Sequence, residues 1–101
     1  MFGFLKNLFG PKADFKALVE AGATIIDVRT PQEFDAGHIK SSKNIPLQNI
    51  QKAIPELKKS GKVVITVCRS GSRSGMAKSI LKSAGLEVYN GGPWNILNTK
   101  I

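Results

Sequence analysis

Lys62-Val63-Val64-Ile65-Thr66-Val67, running into Cys68-Arg69-Ser70-Gly71-Ser72-Arg73-Ser74, is the stretch on which the fold turns. Its first half is apolar apart from Lys62 and Thr66, as expected of a central strand covered on both faces. Its second half is small and polar and does not continue a strand. Beyond it, Met76, Ala77, Ile80, Leu81 and Ala84 recur at helical spacing, and Gly85 closes the helix. A strand, a short loop and an amphipathic helix in this order form the repeating unit of an α/β sheet.

Working outward, the same unit recurs. Phe15, Leu18 and Val19 predict a helix ended by Gly22, and Thr24-Ile25-Ile26-Asp27-Val28 a buried strand. Thr30-Pro31-Gln32-Glu33 has the form of a capping box with proline at the first helical position, so a short helix is expected up to Gly37. Asn44-Ile45-Pro46 reads as a brief extended piece. Leu47, Ile50 and Ile54 predict a helix broken at Pro55. Glu87-Val88-Tyr89 reads as a last strand, Gly91-Gly92-Pro93 as a turn, and Trp94 and Leu97 as a final helical turn. The expected architecture is a mostly parallel sheet between helices, with right-handed crossovers.

At 101 residues the chain has room for one domain, expected over residues 13–101, preceded by an apolar segment over residues 1–12. Phe2, Leu5, Leu8 and Phe9 of that segment would share one side if it formed a short helix, which would suit docking on its own domain or on a membrane or partner surface. No apolar run reaches the ~20 residues of a bilayer span, so no transmembrane segment is expected. The first residues lack the pattern of a secretory signal. With a lone free thiol, the expected location is cytoplasmic.

The formal charge of +8 favours anionic partners. The lysines are scattered and no aromatics interleave with them, so nucleic acid is not expected as a partner. An acidic protein face is the macromolecular partner they would suit. The three arginines are placed differently: Arg69 and Arg73 sit beside the single cysteine, and Arg29 follows a strand. One cysteine excludes an internal disulfide and a multi-thiolate metal site, and no metal or cofactor is expected.

Cys68 falls at the carboxyl end of the best strand, where open α/β sheets place their functional crevice. The loop amides and the start of the next helix would converge on an anion. Together with Arg69 and Arg73 they favour thiolate over thiol, so the thiol pKa is expected below its free value of ~8.5. Arginine grips an oxyanion through two parallel hydrogen bonds. A buried, inert cysteine is the structural alternative, but apolar residues do not flank Cys68 on its carboxyl side.

Taken together, Ile26-Asp27-Val28-Arg29, Glu33-Phe34-Asp35-Ala36-Gly37-His38-Ile39 with Asn44-Ile45-Pro46, Cys68-Arg69-Ser70-Gly71-Ser72-Arg73-Ser74 and Gly91-Gly92-Pro93-Trp94 resemble, in order, the motifs of the rhodanese (sulfurtransferase) family. The segment Gly92-Pro93-Trp94-Asn95 departs from the pattern by its proline and by the lack of a second tryptophan. The resemblance implies a three-layer rhodanese-like sandwich. It also implies a thiosulfate sulfurtransferase-like enzyme in which Cys68 is the catalytic nucleophile, carrying sulfur as a persulfide to cyanide, a thiol or a protein. Arg69, Ser70, Gly71, Ser72 and Arg73 would bind a small anionic sulfur donor. Asp27 and Arg29 would brace the sheet, and His38 would be a hydrogen-bonded strut between segments. A protein-to-protein sulfur carrier shares Cys68 and stays open as an alternative. A phosphatase or arsenate reductase on this fold is disfavoured by loop length: four residues separate Cys68 from Arg73, and Ser74 stands where a longer loop would place arginine.

Overall fold

The computed structural model describes residues 13–101; the apolar segment 1–12, with Phe2, Leu5, Leu8 and Phe9, lies outside the described residues. The elements are α1 (Phe15–Glu20), β1 (Thr24–Asp27), α2 (Pro31–Ala36), β2 (Lys43–Asn44), 3-10 turns at Leu47–Asn49 and Gln51–Ala53, α3 (Ile54–Ser60), β3 (Val64–Cys68), α4 (Ser72–Ser83), β4 (Val88–Pro93) and α5 (Trp94–Leu97). The four strands are all parallel and lie in the order β2-β1-β3-β4. From β1 the chain moves outward to β2, then returns to build β3 and β4 on the other side. The connections therefore diverge between β1 and β3, and a crevice opens at the carboxyl ends of those two strands.

Alternation along β3 divides the core. Ile65 and Val67 face one way and pack with Ile25, Ile39 and Leu97, against which Phe15, Leu18 and Trp94 lie. Val64 and Cys68 face the other way and pack with Ile26, Val28, Ile50, Leu57, Ala77 and Leu81. Thr66 shares the face of Cys68. Its buried hydroxyl donates to the carbonyl of Ser74 at 2.9 Å, which ties the first turn of α4 to the sheet.

Asp14 caps α1 through the Ala17 amide. As expected, Thr30 and Glu33 form the reciprocal capping box of α2. Other expectations are corrected. Pro55 lies in the first turn of α3 and does not break a helix; that position needs no amide proton, and the residues before it form two 3-10 turns. Met76 is half-exposed, and Ser74, Ala77 and Leu81 make the buried stripe of α4.

The Gly91-Gly92-Pro93 stretch is not a turn. It continues β4, whose pairing steps from Thr66–Asn90 to Val67–Gly92 and leaves Gly91 as a bulge. A Cβ on Gly91 would stand 2.9 Å from side-chain atoms of both Ile65 and Val67, so the bulge closes against the sheet only with glycine there. Among the described residues, no helix is long and apolar enough to cross a membrane.

Candidate functional site

Cys68 is the last residue of β3 and its surface is fully buried (0% exposed). Its sulfur is nevertheless not sealed in hydrocarbon. The Gly71 amide donates to Sγ at 3.0 Å and the Ser74 amide at 3.3 Å, and the Ser74 hydroxyl lies 3.3 Å away. Ser74 is the third residue of α4. No side chain of the preceding residue, Gly71, caps this helix. The sulfur takes the capping place, accepting the amide that a serine or aspartate ordinarily satisfies.

Gly71 adopts φ +99°, which turns the chain after it into α4 and so brings the Ser74 amide back toward the sulfur; only glycine adopts this freely. Burial works against ionisation of the thiol. The Ser74 hydroxyl and the amides of Ser74, Gly71 and Ser70 work for it and prevail, so the Cys68 pKa lies below that of a free thiol. The hydroxyl helps only when its proton points at the sulfur.

The other loop residues divide. Arg69, Ser70 and Ser72 are exposed at the rim. Arg73 is not free. Its guanidinium makes a two-pronged pair with the Glu33 carboxylate, at 2.8 and 3.0 Å, across 40 residues of sequence. Glu33 thus closes its own helix cap and also holds the active loop to α2.

The Arg73 hydrogen bonds first, and the Thr30 amide and hydroxyl after them, bring the Glu33 pKa down to about 2 against the effect of burial. The folded value lies below that of a free glutamate, about 4.3. The tie therefore contributes its full stability above about pH 5 and loses it as pH falls toward 2. With Glu33→Gln, melting temperature measured from pH 6 to pH 2 is expected to fall less steeply than in the parent. Parallel curves would show that the pair contributes nothing.

Behind the loop, Asp27 and Arg29 form a buried pair. Arg29 Nε and Nη2 donate to the carboxylate at 2.7–3.0 Å, and the guanidinium also reaches the carbonyls of Glu33 and Gly37. The Trp94 ring lies 4.8 Å from the Arg29 guanidinium carbon. The two residues have the bracing place expected of them. His38 differs: its Nδ1 bonds the Phe34 carbonyl at 2.7 Å and its ring stacks on Phe34. Both contacts lie within one segment, because four residues at a helix end bring ring and carbonyl together.

Three residues of the site were not singled out from sequence. Glu33 was legible as a helix cap and as part of a motif, and Ser74 by its spacing from Cys68 within the loop motif, but neither was assigned a contact in the site. Asn90 carries no local signal, yet its side chain bonds Ser74, Gly71 and Gly92.

A family model described as the rhodanese-like domain matches residues 11–93. YqhL of Bacillus subtilis, an uncharacterized protein, is 41% identical over 69 residues, covering 67% of this chain and 54% of that one. The chain thus spans about half the length of this relative. The thiosulfate sulfurtransferase PspE of Escherichia coli is 34% identical over 94 residues, 88% of each chain. Among solved structures, a rhodanese with anions from E. coli is similar with a TM-score of 0.68 and 30% identity, over 79% of this chain and 92% of that one.

Proposed function

The chain belongs to the rhodanese-like domain family, and from that premise we propose that it transfers sulfane sulfur through a persulfide on Cys68. The Cys68 thiolate attacks the outer sulfur of a donor such as thiosulfate. The new S–S bond forms as the donor's S–S bond breaks, and sulfite leaves with the bonding electron pair. An acceptor nucleophile (cyanide, a thiol or a protein thiolate) then attacks the outer persulfide sulfur, and the Cys68 thiolate is regenerated. The amides that converge on Sγ would stabilise the charge before and after each step. Arg69, Ser70, Gly71, Ser72 and Arg73 would bind the donor anion, Arg73 through its main-chain amide while Glu33 holds its guanidinium, and the exposed Arg69 reaching outward. A reducing compartment such as the cytoplasm suits such a thiol.

The observation that supports this reading is the sulfur held by the Gly71 and Ser74 amides at the carboxyl end of β3. Incubation with thiosulfate followed by intact mass spectrometry is expected to add one sulfur atom to Cys68, and cyanide to remove it. An unchanged mass with thiosulfate and with a protein persulfide donor alike would overturn it.

A second reading is favoured by the Glu33–Arg73 pair, which leaves Arg69 as the exposed guanidinium of the loop. On that reading the protein accepts sulfur from another protein and turns over small donors slowly. Loading from a protein persulfide alone would support it.

A further inference from the structure

The Ser74 hydroxyl lies between two atoms that both want its one proton. Cys68 Sγ is 3.3 Å away and Asn90 Oδ1 is 2.6 Å away. The orientation of the Asn90 amide is set independently. Its Nδ2 donates to the Gly71 carbonyl at 3.1 Å, and its Oδ1 accepts the Gly92 amide at 2.9 Å. Reversing the amide would set two donors, and separately two acceptors, against each other. The atom facing Ser74 is therefore an oxygen without a proton, and two oxygens at 2.6 Å need one between them. Ser74 must supply it. Its hydroxyl then presents lone pairs to Cys68, an arrangement that suits S–H donating to Oγ and does not suit a thiolate.

We infer that Asn90 is a positioning residue that competes with Cys68 for the proton of Ser74 and so sets how readily the nucleophile ionises. Ionisation of Cys68 is eased when the hydroxyl leaves Asn90 and turns to the sulfur, where it joins the Gly71 and Ser74 amides as a third donor. Asn90 thus acts as a restraint on the nucleophile, while its amide group anchors the loop at Gly71. The bulge at Gly91 places the Gly92 amide on Asn90 Oδ1 and completes the device. The relevance to turnover rests on the sulfur-transfer reading; the effect on the thiol does not.

The test is a four-protein cycle: parent, Asn90→Ala, Ser74→Ala and the double variant. The Cys68 pKa is read from the pH dependence of alkylation by iodoacetamide, which requires no sulfur transfer. The charged groups around the thiol are unaltered: Arg69 on the loop, Arg73 on α4 with Glu33 on α2, and Asp27 and Arg29 at the end of β1. β4 and the Leu47–Asn49 turn carry no charged residue.

Any loosening of the loop by Asn90→Ala acts with or without the hydroxyl, so the coupling isolates the proton. Relative to its effect in the Ser74→Ala background, Asn90→Ala is expected to lower the Cys68 pKa by about one pH unit. That is the scale of one hydrogen bond to a charged group. Asn90→Leu, of similar shape, should repeat the coupling if the alanine variant is unstable. Equal effects in the two backgrounds, or a coupling of opposite sign, would overturn the inference and leave Asn90 as a loop anchor only.

Discussion

Cys68→Ser is expected to lower thiocyanate formation from thiosulfate and cyanide by at least about 10^3-fold, to the rate of the protein-free mixture. Serine keeps the size of the side chain, and its oxygen can accept the same Gly71 and Ser74 amides. It cannot ionise near neutral pH, and it cannot form a persulfide. The loss should fall on the covalent step, with the fold kept: circular dichroism should show a melting temperature within about 3 °C of the parent, since substitutions that break no buried contact have small effects. A variant that retained a tenth of the parent rate would remove Cys68 from the reaction and with it the proposed chemistry.

Asp27→Ala is expected to be strongly destabilising. It leaves the Arg29 guanidinium buried without its counter-ion; the two side chains are 0% and 5% exposed in the folded protein. Breaking a buried pair from one side costs about 3–5 kcal/mol, because the remaining charge is stranded. For a domain of this length that corresponds to a fall of more than about 10 °C in melting temperature. The loss should reach the site as well. Arg29 holds the carbonyls of Glu33 and Gly37, so α2 and the Glu33–Arg73 tie depend on it. Asp27→Asn keeps one acceptor oxygen, which can serve both the Arg29 amide and Nε, and should fall between parent and alanine variant. A shift under about 2 °C for Asp27→Ala would mean that water or another group replaces the carboxylate, and the bracing role would fail.

How much of this was legible beforehand follows the range of each interaction. The run Val63 to Val67, the small polar loop and the helical spacing after it already contain a parallel sheet with a thiol at a strand end, because burial and hydrogen bonding impose their periods on neighbouring residues. The capping box at Thr30 and Glu33 was equally visible, since both partners lie within one turn.

Local pattern misleads where a residue has two compatible uses. Pro55 opens a helix as well as it ends one, and Gly91-Gly92 serves a bulge as well as a turn; the choice fell to the packing of Ile65, Val67 and Leu97 around Gly91. The long-range ties belong wholly to the tertiary structure. Glu33 meets Arg73, and Asn90 meets Ser74 and Gly71, only because β1, β3 and β4 pair side by side in parallel register. The sequence by itself determined which side chain is the candidate nucleophile and at which end of which strand it stands. The tertiary structure decided which groups contend for its proton and its charge, because strand order and register, which no local periodicity encodes, choose the neighbours.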